Sequence, residues 1–151
     1  PERFDEGYQI AQSVKLNTQR RSLKQAIKAD TQVYLADSMG EMWLWYALSH
    51  VCYVGGSLNE PGGGHNILEP IALHVPTVIG QNYFNFQTIV DEFVAEDAIF
   101  VAKNSTQAVQ QLMQCLAQPE QTQLLNLNAQ KVLARNQGAL QKHIQAIGRY
   151  L

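Results

Sequence analysis

Apolar residues follow two patterns along the chain, short continuous runs and longer segments with helical spacing. The short runs predict buried β-strands, because a strand covered on both faces is apolar at consecutive positions. They lie at residues 32–36, 51–54, 76–79 and 98–101. Segments with apolar positions three or four residues apart predict helices. They lie at residues 5–14, 67–74 and 86–94, and along the chain after Asn104.

Two further features complete the predicted element order. Residues 41–49 are strongly apolar and fit either a strand or a helix, but their length and their few β-branched residues favour a helix. After Asn104, Pro119 and Gly138 are predicted to separate consecutive helices. Strands and helices then alternate, which is typical of a parallel sheet with helices on both faces. We therefore predict a single α/β domain over residues 1–151 with a helical C-terminus.

Composition narrows the class of protein. The chain has 151 residues, of which 46% are hydrophobic and 16% are charged, so a disordered chain is excluded. The net charge of −2 argues against a nucleic-acid partner. Residues 103–151 nevertheless carry five basic side chains and one acidic one, Glu120. That excess fits either a solvated helical surface or a basic face toward a phosphorylated or membrane-bound partner.

A cluster of glycines marks the strongest candidate site. Five of the ten glycines follow the strand predicted at 51–54. They are Gly55, Gly56, Gly62, Gly63 and Gly64. A glycine-rich turn between a buried strand and a helix can offer backbone N–H groups to an anion. The spacing matches neither a dinucleotide-binding fingerprint nor a P-loop. No His or Cys pair has metal-ligand spacing, so neither a metal nor a cofactor is predicted.

Asn66 and Glu69 follow the glycines and add polar side chains to the backbone groups of the loop. Their spacing fits a capping box with Asn66 as the cap, although Pro70 would then occupy the fourth helical position. If the helix instead begins at Pro70, Glu69 directly precedes it. In either case the Glu69 carboxylate can accept hydrogen bonds from sugar hydroxyls. Phosphate on the backbone and ribose on a carboxylate together describe a nucleotide site.

The turn after the strand at 32–36 offers another candidate. Asp37 or Ser38 could cap the next helix, with Glu41 completing a capping box. Such a cap does not require Gly40, which would let a ligand approach the backbone. Both interpretations stay open on the local sequence.

These motifs resemble a known family, the 3-deoxy-D-manno-oct-2-ulosonic acid (Kdo) transferases of lipopolysaccharide synthesis. Gly-Gly-Ser-Leu at 55–58, followed by Gly-Gly-His-Asn-Ile-Leu-Glu-Pro at 63–70, is similar to the family's central motif. Shorter matches lie at residues 1–4, 37–41, 53–54, 85–86 and 136–140. The sequence departs from the pattern in two stretches, since 59–62 is one residue longer and Gly-Gln-Asn at 80–82 stands where Gly-Pro-His is usual.

The resemblance implies a GT-B glycosyltransferase built from two Rossmann-like domains. This chain would be most of the C-terminal, donor-nucleotide-binding half, truncated at its N-terminus. The catalytic N-terminal domain with its acidic base would be absent, so no catalytic residue is expected here. The full-length protein would associate with the cytoplasmic face of the bacterial inner membrane. It would transfer Kdo from CMP-Kdo to a lipid A precursor.

The same resemblance assigns the nucleotide contacts to two segments. They are Met39, Gly40 and Glu41, and Asn66, Ile67, Leu68 and Glu69, with Ser38, Gly63, Gly64 and His65 in possible support. Two other functions stay open. One is a GT-B transferase that uses another nucleotide sugar, and the other is a non-catalytic nucleotide-binding or docking module.

Overall fold

The computed structural model describes residues 3–147, with side chains over residues 3–136. Of the motif matches, residues 1–2 and the side chains of 137–140 therefore lie outside the described part. Contacts divide the chain into two compact units, Pro1–Trp45 and Tyr46–Leu151. The assignment of residues 1–151 to one donor-binding domain stays a prediction.

The first unit is built on a short parallel pair of strands. It contains α1 (Phe4–Ser13), β1 (Thr18–Arg20), a 3-10 turn at Arg21–Leu23, β2 (Val33–Leu35) and the start of α2 (Met42–Ala47). The strands pair in register from Thr18 opposite Val33 to Arg20 opposite Leu35. The helix predicted at 5–14, the strand at 32–36 and the helix at 41–49 are confirmed. β1 was not predicted, because its Thr-Gln-Arg sequence has no apolar pattern.

The second unit is a three-stranded parallel sheet in the order β3–β4–β5. The strands are β3 (Cys52–Val54), β4 (Thr77–Gly80) and β5 (Phe100–Ala102). The covering helices are α3 (Leu68–Ala72), α4 (Gln87–Ala95), α5 (Ser105–Ala117) and α6 (Pro119–Ile147). The predicted sequence of strands and helices is confirmed, and β4 is buried along its whole length.

Alternation along the strands gives this sheet two buried faces. Val54 and Ile79 point to a cluster that α3, α4 and α6 complete with Ile71, Phe93 and Val132. Their neighbours Tyr53 and Val78 point to the opposite face, where α5 adds Ala108 and Leu112. Since helices cover both faces, the predicted fold class is confirmed for this unit. The strands form two separate parallel sheets, one in each unit, where a single sheet was expected.

The helical C-terminus is confirmed, with one correction. Pro119 begins α6, where its missing N–H costs no helical hydrogen bond. Gly138, however, does not end a helix, because α6 continues to Ile147. A single glycine costs a helix only about 1 kcal/mol, which long flanking helical sequence can outweigh. Among the described residues, none of the helices combines the length and the apolar character needed to cross a bilayer.

Candidate functional site

The loop of residues 55–67, called the glycine loop below, leaves the carboxyl end of β3 and is anchored to the end of β4. The anchor is Ser57, which is only 1% exposed. Its hydroxyl accepts a hydrogen bond from the Gly80 amide at 2.7 Å and donates to the Val54 carbonyl at 3.3 Å. The loop therefore lies at the edge of the sheet where ligands bind in open α/β folds.

Left-handed backbone conformations explain the glycines at 56 and 64. Their φ angles are +77° and +75°, a region that other residues rarely adopt. The Gly64 amide donates to the Gly56 carbonyl at 2.9 Å, which folds the loop back on itself. A Cβ atom on Gly56 would lie 2.9 Å from the His65 ring. The two glycines thus allow a tight loop in which the His65 ring lies close to Gly56.

Gly62 and Gly63 pack against the turn that follows β4. The Gly63 amide donates to the Asn82 carbonyl at 2.8 Å, and the Asn85 amide donates to the Gly63 carbonyl at 3.1 Å. A Cβ atom on Gly62 would lie 2.6 Å from that of Asn82. Asn82 and Asn85 thus contact the glycine loop, and neither contact was predicted from the sequence. The signal was present only as an Asn-Phe match at 85–86 and a departure at 80–82.

The backbone amides that are available to bind an anion differ from the glycine amides that the sequence suggested. Gly63 and Gly64 already donate within the protein, so they shape the loop. Among the described residues, the backbone amides of His65, Asn66 and Ile67 donate to no protein acceptor. One run of consecutive N–H groups without a protein acceptor therefore follows the glycines along the chain.

The start of α3 differs from both predicted versions. The helix begins at Leu68, and Ile67 is the residue before it, without a side-chain cap. Asn66 Oδ1 instead accepts a hydrogen bond from the Leu68 amide at 3.0 Å, so the predicted capping box is wrong. Pro70 occupies the third helical position, where its missing N–H breaks no helical bond.

Side-chain burial separates the predicted contacts of this segment. Ile67 is 1% exposed and belongs to the core, so only its backbone faces a possible ligand. Leu68 packs against the same core, whereas Glu69 is partly exposed in the first turn of α3. Asn66 keeps its Nδ2 donor available, because its bond to Leu68 uses only the oxygen.

In the first unit, Asp37 stabilises the turn that follows β2. Its carboxylate accepts hydrogen bonds from Arg20 Nε at 2.6 Å, from the Ser22 amide at 2.8 Å and from the Ser22 hydroxyl at 2.7 Å. Burial opposes ionisation, but the bonds from Ser22 and Arg20 outweigh it and lower the pKa of Asp37 to about 2. Asp37 is therefore a structural anchor of the turn.

Ser38 and Glu41 do not form the predicted capping box, because α2 begins only at Met42. Arg21 instead holds the Glu41 carboxylate with two bonds of 2.8 and 3.2 Å, and Ser38 Oγ donates to the same carboxylate. These bonds from Arg21 and Ser38 lower the pKa of Glu41 to about 2. The Glu41 side chain is thus ionised and held in place.

Met39 and Gly40 leave this turn open to a ligand. Met39 is 73% exposed. Gly40 has φ +79°, and a Cβ built there would meet no atom within 4 Å. The glycine is therefore required by its backbone angle and not by a close neighbour.

The remaining candidate groups are the metal-ligating side chains, the two cysteines and the basic segment. Among the described residues, no cluster of His, Cys, Asp or Glu could hold a metal ion. Burial raises the pKa of the Cys52 thiol to about 11 and also raises that of Cys115. Within the basic segment, Arg135 pairs with Glu96 at 2.9 Å. Lys142 and Arg149 lie outside the described side chains.

The parallel sheet covered on both faces, with a glycine loop at its carboxyl edge, defines a Rossmann-like α/β domain. No protein-family model matches the chain. It is 35% identical over its full length to the 3-deoxy-D-manno-octulosonic acid transferase of Haemophilus influenzae. It is also 32% identical over its full length to that of Bordetella pertussis. The chain spans 35% of the length of each of these relatives.

A solved structure extends the comparison to three dimensions. The crystal structure of the C-terminal CMP-Kdo binding domain of WaaA from Acinetobacter baumannii is 65% identical in sequence, with a TM-score of 0.86. The match covers 88% of this chain and 69% of that one. The chain therefore belongs to the 3-deoxy-D-manno-octulosonic acid transferase family, with the fold of its C-terminal domain. The family resemblance drawn from the motifs is confirmed.

Proposed function

We propose that this chain is the donor-binding part of a Kdo transferase and that it binds the CMP portion of CMP-Kdo. The observation that carries the proposal is the 65% identity with a domain described as CMP-Kdo binding, over 88% of the chain. The glycine loop supports the same function, because its free backbone amides lie at the carboxyl edge of the parallel sheet β3–β4–β5.

For the second unit, the proposed contacts follow from the available donors and acceptors. The backbone amides of His65, Asn66 and Ile67, with Asn66 Nδ2, bind the phosphate. Gly63 and Gly64 support those amides by shaping the loop. The partly exposed Glu69 carboxylate accepts hydrogen bonds from the ribose hydroxyls. The Leu68 amide is already bonded to Asn66 and is not proposed to bind the ligand. Leu68 instead connects the proposed phosphate contact at Ile67 to the proposed ribose contact at Glu69.

For the first unit, the proposal rests on the family resemblance together with an open turn. Met39 and Gly40 offer exposed apolar and backbone surface to the base and ribose. Glu41 offers an ionised acceptor whose orientation Arg21 and Ser38 maintain. The contacts of Met39, Gly40, Glu41 and Ser38 are proposed independently of those in the glycine loop.

For the complete protein, we propose transfer of Kdo to a lipid A precursor at the cytoplasmic face of the inner membrane. An acceptor hydroxyl loses its proton to a carboxylate base outside this chain, and its oxygen attacks the anomeric carbon of Kdo. The bond from that carbon to the phosphate oxygen breaks, and CMP leaves with the electron pair. Amides of the glycine loop stabilise the developing negative charge.

Calorimetric titration of the complete protein with CMP, UDP and GDP tests the donor site. Hydrogen bonds to a charged acceptor contribute about 1.5–3 kcal/mol, so Glu69→Ala should raise the Kd for CMP about 10- to 150-fold. Asn66→Ala should also weaken CMP binding. Glu120→Ala removes the same charge from an exposed position in α6 and should leave the Kd unchanged.

Two results would contradict different parts of the proposal. Unchanged CMP affinity in both the Glu69 and the Asn66 variants would reject the site. Tighter binding of UDP or GDP than of CMP would favour a transferase for another nucleotide sugar.

A further inference from the structure

Among the described residues, four hydrogen bonds join the turn after β4 to the glycine loop, and Asn82 makes three of them. The Asn82 amide donates to the Ser57 carbonyl at 2.8 Å, and its own carbonyl accepts from the Gly63 amide at 2.8 Å. Its side-chain Nδ2 donates to the Asn59 carbonyl at 3.1 Å. One residue outside the loop thereby contacts the beginning, the middle and the end of the segment 57–63.

The glycine loop needs such external support because its own sequence gives it little rigidity. Glycine loses more conformational freedom on folding than any other residue. Gly62 and Gly63 have φ angles of +73° and +110°, so no side chain restricts the backbone there. Gly64 follows directly and leads into the free amides of His65, Asn66 and Ile67. The placement of those amides therefore depends on how firmly the preceding residues are held.

We propose that Asn82 is a positioning residue for the donor site. It holds residues 57–63 in the conformation that presents the amides of His65, Asn66 and Ile67 together. Asn82 acts through the loop and makes no contact with the donor. The choice of CMP as ligand rests on the proposed function, whereas the effect on the loop does not.

The side-chain bond is the part of this support that mutation can remove selectively. Asn82→Ala retains the N–H and C=O groups of both backbone bonds but loses the bond from Nδ2 to Asn59. A neutral hydrogen bond contributes about 0.5–1.5 kcal/mol, so the Kd for CMP should rise about two- to twelvefold. The exchange of the Gly63 amide hydrogen should accelerate by a similar factor, since the loop then opens more often.

The experiment measures CMP affinity and amide exchange at Gly63 in the complete protein, each for three variants. Asn82→Ala removes the donor. Asn82→His restores one, because Nδ1 of histidine is as many bonds from Cβ as Nδ2 of asparagine. Asn126→Ala is the matched control. Its Nδ2 donates to the His74 carbonyl at 2.9 Å, the same type of bond outside the glycine loop.

We expect Asn82→Ala to change both measurements, Asn82→His to restore both, and Asn126→Ala to change neither. Unchanged exchange at Gly63 in Asn82→Ala would overturn the positioning role, and so would equal loss of CMP affinity in Asn126→Ala. Should Asn82→Ala fail to fold, Asn82→Ser tests the same bond, because the serine side chain is too short to reach the Asn59 carbonyl. If the unmodified protein does not bind CMP, the proposed function fails, and exchange at Gly63 still decides whether Asn82 holds the loop.

Discussion

Asp37 shows how a single buried carboxylate stabilises the turn that carries Met39–Glu41. Its side chain is 1% exposed, and its pKa is lowered to about 2 by Ser22 and Arg20 despite burial. Because folding lowers the pKa of Asp37, its ionised carboxylate stabilises the folded state. This contribution is fully present at pH values above the unfolded pKa of about 3.9. That contribution is lost as the pH falls toward 2. Stability should therefore decline between about pH 5 and pH 2.

Asp37→Asn tests this pH dependence. At pH 6 the variant should lose at least about 1.5 kcal/mol of unfolding free energy, the lower value for a hydrogen bond to a charged group. The difference from the unmodified chain should shrink at about pH 2.5. Urea denaturation followed by circular dichroism at both pH values measures it. Asp30→Asn makes the same charge change at an exposed residue and should have little effect. A stability difference that is equal at both pH values would contradict the assignment.

Individual site residues were predictable only where local sequence carries the information. Asn66 and Glu69 stand in a dense motif, and the structure places Asn66 within the glycine loop and Glu69 in the first turn of α3 directly after it. Their predicted capping box failed because the buried Ile67 precedes the helix and Asn66 bonds to Leu68 instead. Asn82 was missed as a site residue, because its role consists of bonds to residues distant in the sequence.

At the scale of elements, the contact between β4 and the glycine loop depends on the absence of a side chain at Gly80. A Cβ atom there would overlap the Ser57 carbonyl. Gly80→Ala should therefore destabilise the protein by about 1–3 kcal/mol, as overpacked sites do, and should weaken CMP binding. Gly55→Ala is the matched control at the start of the same loop, since a Cβ there meets nothing within 4 Å.

Thermal unfolding and CMP titration of both glycine variants test this contact. The Gly55 variant should stay within about 0.5 kcal/mol of the unmodified protein. If both variants lost the same stability, the Ser57–Gly80 contact would not explain the effect, and a general loss of loop flexibility would.

The elements themselves were largely predictable, and the exceptions share a physical cause. Apolar runs at 51–54 and 76–79 predicted β3 and β4, because the side chains of these strands pack into the apolar clusters on the two faces of the sheet. β1 has no such signal, and its pairing with β2 comes from backbone hydrogen bonds. Gly138 was expected to end a helix, but α6 continues past it. Local propensity therefore predicted the buried elements and failed where backbone pairing or helix continuity decided the structure.

At the scale of the whole molecule, the proposed division of labour places donor binding in this chain and catalysis outside it. The chain spans 35% of its relatives' length, which leaves room for a further domain in a complete protein of that size. Transfer requires a base at the acceptor hydroxyl, and the carboxylates of the proposed site are assigned to the donor. Glu41 in particular is engaged by Arg21 and Ser38. Binding and transfer should therefore be separable.

The 151-residue chain alone should bind CMP but transfer no Kdo. A complete protein containing it should do both, because the proposed base lies outside this chain and must meet the acceptor hydroxyl there. Incubation of each with CMP-Kdo and a lipid A precursor, followed by mass spectrometry of the lipid, measures transfer. A complete protein with Glu69→Ala is the control, since weakened donor binding should reduce its transfer while the base is retained. Kdo-modified lipid formed by the chain alone would show that a catalytic base lies within these residues, and the division proposed here would be wrong.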